Sequence, residues 1–233
     1  IGVNGSLKFE YKLQQVKIHN LEGDASDAIR AEEGEFIESQ FSLDYNYDTR
    51  DSVFLPRRGH KFTASASGSG LGGDVKNWGL AAGLQKHWNG PYDSIFTLEG
   101  NVNVVDSFDG DDVPIFNRLF LGGANNLRGF DYREVGPKDE TGEPLGGGTS
   151  AYLTAEVTVP IVEKVRGAVF YDVGYVNNDS FDFSSGDVNS NFGVGVRLFL
   201  PVGPIRLDFG IPVQADEFND SNGKFNFNIG YQF

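Results

Sequence analysis

Lys224–Phe233 reads K-F-N-F-N-I-G-Y-Q-F, and this stretch decides the fold. Phe225, Phe227, Ile229, Tyr231 and Phe233 alternate with Asn226, Asn228, Gly230 and Gln232. Successive side chains on a strand point to opposite faces, so one face here is wholly apolar and the other polar or bare. An apolar face of that size needs either a protein core or lipid against it.

Working outward from this segment, the same alternation recurs upstream and predicts about ten strands, at 3–18, 36–48, 60–70, 75–88, 94–106, 150–161, 165–177, 189–200, 204–213 and 224–233. Phe192, Val194, Val196, Leu198 and Leu200 share one face of the eighth, opposite Asn191, Gly193, Gly195 and Arg197. In the ninth, Ile205, Leu207, Phe209, Ile211 and Val213 oppose Arg206 and Asp208. A soluble sandwich also alternates, so the links between strands have to discriminate. Long links at 19–35, 107–149, 178–188 and 214–223 fall on one side if the carboxyl terminus lies on the other. Membrane barrels carry short periplasmic turns and long external loops, and a sandwich gives no reason for that parity. Only 49–59 and 71–74 break it. The fold class expected is therefore all-β, an antiparallel transmembrane β-barrel over 1–233, with one long inward-folding loop at about 107–149. Its apolar positions, Leu207, Phe209, Val194 and Val196 among them, face outward.

Composition is consistent with this. The 233 residues include 20 Phe, 9 Tyr and 31 Gly, which suit interfacial aromatic girdles and twisted strands. Apolar residues make up only 39%, mean hydropathy is −0.31, and no apolar run reaches the length of a membrane helix. A barrel strand needs only about 9–11 alternating residues. The net charge of −14 argues against nucleic acid, which requires a basic face. Much of the acidity sits in links, at Glu22–Glu35 and Asp106–Asp112, and reads as solvation; D-G-D-D at Asp109–Asp112 lacks calcium-loop spacing. Without cysteine there is no disulfide framework and no thiolate zinc site or nucleophile. No cofactor or metal is expected. No signal peptide is read at Ile1; the chain opens inside a strand-like pattern, as a mature form or a fragment would.

The 107–149 link is too long to be an idle connection. It contains L-F-L-G-G-A-N-N-L-R-G-F-D-Y, Leu119–Tyr132. On the following strand Glu156 lies between Ala155 and Val157, in the inward phase. Asp172, between Tyr171 and Val173 on the strand after, is also inward. Two inward carboxylates on adjacent strands form a site for a guanidinium, which pairs carboxylates bidentately in confined, low-dielectric space. Arg128 is the candidate, with Gly129 allowing a tight backbone turn beside it. Ordinary lumenal polarity is the alternative.

These segments together resemble the carboxyl-terminal part of the BamA-type outer-membrane protein assembly factors, within the outer-membrane insertase superfamily. D-Y-N-Y-D-T-R-D-S-V-F-L-P-R-R-G (Asp44–Gly59) is similar to the family's Y-D-x-R-D…P-x-x-G strand and turn. G-G-A-N-N-L-R-G-F (Gly122–Phe130) resembles its sixth-loop signature. E-V-T-V-P-I (Glu156–Ile161), Y-D-V-G (Tyr171–Gly174), the run Gly193–Gly210 and F-N-I-G-Y-Q-F follow in family order. The resemblance implies a loop that folds into the lumen, clamped through Arg128, Gly129 and Phe130 to Glu156 and Asp172. It implies a terminal seam strand carrying Phe225, Phe227, Ile229, Gly230, Tyr231 and Phe233. It further implies a bacterial outer-membrane location with the carboxyl terminus periplasmic, outer-membrane lipid and unfolded β-barrel clients as partners, and accessory assembly lipoproteins. The implied function is insertion of barrel proteins, by pairing of a client strand at the seam. The family barrel has sixteen strands preceded by POTRA domains, neither of which ten strands can supply. The chain is thus expected to be the carboxyl-terminal part of such a barrel or a small closed barrel derived from it. If it is small and closed, its first strand pairs with its last. In the final strand Asn228 stands where the usual client signal has glycine.

Three other functions remain open: a passive pore, a protein-translocation barrel, and a truncated barrel without insertase activity. An enzyme is not expected. His19, His60 and His87 all fall near strand ends, and no G-x-S-x-G elbow is present.

Overall fold

The computed structural model describes residues 2–21, 27–200, 203–216, 218, 219 and 222–229. Gly230, Tyr231 and Phe233 of the terminal strand lie outside the described residues. Ten strands run up and down in sequence order: β1 Gly5–Ile18, β2 Gly34–Asp48, β3 Gly59–Ser69, β4 Asn77–Asn89, β5 Ile95–Ser107, β6 Thr149–Val162, β7 Val165–Asn177, β8 Asn189–Leu200, β9 Gly203–Gln214 and β10 Lys224–Ile229. Each pairs antiparallel with the next in a single sheet. The 19–33 link adds one helical turn, α1 (Asp27–Arg30), that alternation alone does not signal. Among the described residues no helix is long and apolar enough to cross a membrane.

Alternation sets the two faces. Val194, Phe209, Phe225, Phe227 and Ile229 are 42–68% exposed on the outer face, with no second sheet against them. Leu207 and Val196 share that face and are half-buried. The inner face carries Glu99, Asn101, Asn103, Thr154, Glu156 and Asp172. An apolar outside and a polar inside invert a soluble core, as a membrane wall requires. The β3–β4 link runs 70–76, longer than the four residues expected, so it joins the long links on its side; 49–58 remains long on the other.

Among the described residues β1 and β10 are not paired, and the sheet is open. Of the two alternatives, this agrees with the carboxyl-terminal part of a larger barrel rather than with a small closed one. Barrel girth grows with strand number, and a ring of about eight strands has room for little beyond its own side chains. Here the inner face instead carries the 108–148 link, which has a core of its own: Leu121, Leu127, Phe130 and Val135, completed by Val176 of β7.

Candidate functional site: a loop clamped to the inner wall

The 108–148 link folds back along the inner face and is tied to it at three places. Near its start, the Ile115 N–H donates to Glu32 Oε2 (2.9 Å), and Arg118 pairs with the same carboxylate (3.2 Å). Asn117 Nδ2 donates to Glu38 Oε1 of β2 (2.8 Å). Glu38 is 1% exposed and also accepts from Gln14 and Ser69. Farther along, Lys138 pairs with Asp216 (3.1 Å) and Asn219 in the β9–β10 link. Isolated bridges Leu119–Gly147 and Leu121–Val135 stiffen the link between these ties.

The third tie is at Arg128, 3% exposed. Its Nε and NH2 donate to the two oxygens of Asp172 (3.0 and 2.8 Å), and NH1 donates to Glu156 Oε2 (2.7 Å). Its backbone N–H adds a bond to Asp172 Oδ2 (3.2 Å), and the guanidinium lies 3.4 Å from the centre of the Phe170 ring. The strand registers explain why Asp172 tolerates full burial. Thr154 of β6 and Asn191 of β8 stand directly opposite it, and both donate to its oxygens at 2.9 Å. A buried carboxylate held by four donor groups has its hydrogen-bonding capacity met, whereas one left unpaired would be costly.

Four of the clamp's residues escape the sequence reading. Arg197 of β8 donates to Glu156 (2.6 Å) and to Asp208 of β9 (2.6 Å), so two guanidiniums and three carboxylates interlock across β6–β9. Phe170 and Asn191 complete the set. All are inward by phase, which is the signal that could have found them. Gly193 and Gly195 leave the wall bare opposite the Phe170 ring and the Arg197–Asp208 pair, where a Cβ would collide. That accounts for the G-V-G-V-R spacing.

Gly129 and Phe130 have different roles from those expected. Gly129 is not in the left-handed region, so no tight turn requires it. A Cβ there would lie 2.5 Å from Asn191 Cβ, and a Cβ on Gly210 of β9 would lie 2.6 Å from the Arg128 carbonyl. The two glycines let loop backbone and wall backbone touch. Phe130, 0% exposed, belongs to the loop's own core. Arg133 also engages, stacking on Phe120 at 3.6 Å and donating to the Ile115 carbonyl.

The terminal strand reaches the same loop from its inner face. Asn226 Nδ2 donates to the Arg128 carbonyl (2.7 Å), Asn228 Nδ2 to Asn125 Oδ1 (2.9 Å), and Lys224 pairs with Asp131 (2.6 Å). Phe225, Phe227 and Ile229 stand on the opposite, outer face. The arrangement fixes a loop in place. The described rings of His60 and His87 bond Thr49 (3.1 Å) and Thr97 (2.9 Å). Among the described residues no group of His, Cys, Asp and Glu could hold a metal.

Known proteins share this arrangement of strands. The chain is 28% identical to the outer membrane protein assembly factor BamA of Nitratidesulfovibrio vulgaris, over all of this chain and 30% of that protein. It is 31% identical to BamA of Neorickettsia risticii, over 87% of this chain and 28% of that protein. The SAM50-like protein CG7639 of Drosophila melanogaster is 29% identical, over all of this chain and 54% of that one. The chain thus spans about a third to a half of the length of the curated relatives it matches. The crystal structure of BamA from Haemophilus ducreyi lacking POTRA domains 1–3 superposes with a TM-score of 0.78 over 99% of this chain and 52% of that one, at 20% identity. The Omp85 superfamily domain matches residues 1–233, and the chain belongs to that superfamily.

Proposed function

We propose that this chain forms the carboxyl-terminal wall of a bacterial outer-membrane barrel that assembles and inserts other β-barrel proteins. Its partners are outer-membrane lipid and unfolded β-barrel clients. Accessory lipoproteins belong to the same reading, as does a periplasmic carboxyl terminus, which places the long links outside. No catalytic step is part of it. The relatives named as BamA supply the function class. The observation that carries it beyond the fold is the clamp. A loop bonded to β6, β7, β9 and β10 occupies the inner face, which suits a machine that works through its wall better than an open pore.

The test is reconstitution of the native protein carrying this chain into liposomes. Folding of a urea-denatured eight-stranded client is followed by heat-modifiable gel mobility. The client should fold several-fold faster than in liposomes holding an unrelated porin. Equal rates, with the reconstituted protein itself folded, would overturn the proposal.

A further inference from the structure

The 178–188 link does not extend away from the rim between β7 and β8. It turns back down the outside of the wall. Three outward-facing polar residues at the strand ends hold it there. Asn177 Nδ2 donates to the carbonyls of Asp182 (2.8 Å) and Ser184 (2.9 Å). Thr149 Oγ1 donates to the Asp179 carbonyl (2.9 Å), and Ser180 Oγ to Asp106 Oδ2 (2.6 Å). Thr149 belongs to β6 and Asp106 to β5, so the link crosses two strands laterally. Burial agrees with this path. Val104 and Thr149 are outward by phase yet only 4% and 0% exposed, whereas Val102 and Leu153, farther along the same face, are 39% and 44% exposed.

The link ends its crossing on β4, where the Phe181 ring lies 5.6 Å from Trp78 and 6.5 Å from Phe183. Phe181 adopts φ of 57°, a left-handed conformation that is unfavourable for a bulky residue. Phe181 and Phe183 are nonetheless 55% and 53% exposed. Strain and lateral hydrogen bonds together present two phenyl rings outward, beside Trp78, without burying them. Below them the apolar wall continues as a groove of about 490 Å³ lined by Leu84, Val102, Leu153, Val173, Tyr175 and Val188. The same link carries three carboxylates, Asp179, Asp182 and Asp187.

We propose that the 178–188 link is a lateral membrane anchor, seating Phe181 and Phe183 at the boundary between acyl chains and headgroups in the leaflet on the long-link side. The surface is continuous with the lipid-facing wall, and aromatic rings favour that depth. The link's own carboxylates keep it from sinking farther, since charge in hydrocarbon is expensive.

The test places a probe on the link in the native protein carrying this chain, reconstituted in phosphatidylcholine vesicles. Phe183→Cys is labelled with an environment-sensitive nitrobenzoxadiazole fluorophore. The chain has no cysteine of its own, and the signal of the similarly treated parent is subtracted. Glu140→Cys, in the exposed part of the 108–148 link, gives the aqueous reference. The label at 183 should emit to the blue of the reference. Nitroxide lipids labelled near the headgroup should quench it more than those labelled deep in the chain, and iodide should quench it less than the reference. Adding Asn177→Ala should shift its emission and iodide access toward the reference. Emission and iodide access equal to the reference from the outset would overturn the anchor. So would protection from both iodide and nitroxide lipid, which would mean that protein covers the link.

Discussion

β7 and β1 are almost equal in length, 13 and 14 residues, yet they experience the inside of the wall differently. On β7 the inward residues Arg166, Ala168, Phe170 and Asp172 are 4%, 4%, 2% and 0% exposed. On β1 every residue from Ser6 to Leu13 is exposed, on both faces. Part of the difference is position, since β7 is paired along both edges and β1, at the edge of the sheet, along one. They differ also in what lies on the inner face. Over β7 the clamped loop excludes water, so an inward charge needs a designated partner. Over β1 an inward charge is solvated and needs none. Polar residues of one type thus have unlike energetic weight in the two regions.

The comparison breaks most readily at Arg128. Arg128→Ala strands Asp172 and leaves Glu156 with Arg197 alone, at a cost of roughly 3–5 kcal/mol for a sheltered ionic group. The heat-modifiable form should melt at lower temperature, and protease should cut within 108–148. Lys8→Ala, removing an exposed β1 cation paired with Glu10, should leave both readouts unchanged. Lys164→Ala at the β6–β7 turn is a second neutral control, whereas Arg133, stacked on Phe120, would not serve as one. Arg128→Lys should restore only part of the loss, because an ammonium lacks the planar fork that reaches Asp172 and Glu156 together. If Arg128→Ala and Lys8→Ala behave alike, the inner face over β7 is as wet as that over β1.

The contact between loop and wall backbones comes next. Gly129→Ala keeps every charge but forces a Cβ against Asn191, and Gly210→Ala forces one against the Arg128 carbonyl. Overpacking of this kind costs about 1–3 kcal/mol. Each should loosen the loop to protease. Since both push the same stretch of loop away from the wall, the double variant should cost less than the sum of the singles. Full additivity, measured by thermal midpoints, would show that the two backbones do not meet.

A smaller effect belongs to the loop's tie on β2, where the filled and open regions adjoin. Asn117→Ala removes one of three donors to Glu38 and leaves Gln14 and Ser69 in place. About 1 kcal/mol is expected for one hydrogen bond with the acceptor still partnered. The proteolytic change should be confined to the first part of the loop. Cleavage spreading to Leu127–Phe130 would mean that the two ties act as one.

How much of this the sequence discloses follows the same division. The strands are legible nearly to the residue because alternation is a local signal; 165–177 and 189–200 agree with β7 and β8 at both ends. The phases of Glu156 and Asp172 are legible for the same reason. Arg197, Asp208 and Asn191 have the same phase, but their pairing depends on cross-strand register, which no single strand displays. Gly129 shows that a residue can be singled out for the wrong reason: a glycine needed for close approach looks in sequence like one needed for a turn. The path of 178–188 was hidden because the residues that hold it, Asn177 and Thr149, look like ordinary polar strand ends. Their outward phase, where lipid should demand apolar groups, is the clue.

Asp93 tests whether the division extends to the turn end of the sheet, where the 49–58 link, not the 108–148 link, lines the inside. It sits in the β4–β5 turn with its carboxylate paired to Arg57 of the β2–β3 link and Arg166 of β7. It therefore joins a strand of the filled region to an exposed link. The Arg57 hydrogen bond holds its carboxyl below the usual aspartate range, with Arg166 adding to the effect. The sign follows directly. A carboxyl whose pKa is depressed by folding contributes stability that is complete above its unfolded value. That contribution is lost as pH falls through the folded value, when protonation removes the charge both guanidiniums face. Acidification should thus free the 49–58 link before the clamp yields, and Asp93→Asn should reproduce the change at neutral pH. The effect is small because the site is open to water. Limited proteolysis between Arg57 and Gly59 across an acid titration reads it. Cleavage that rises in acid for the parent but stays flat for Asp93→Asn assigns the titration to this carboxylate. Equal acid sensitivity in both would place the titrating group elsewhere, and would separate the turn end from β7.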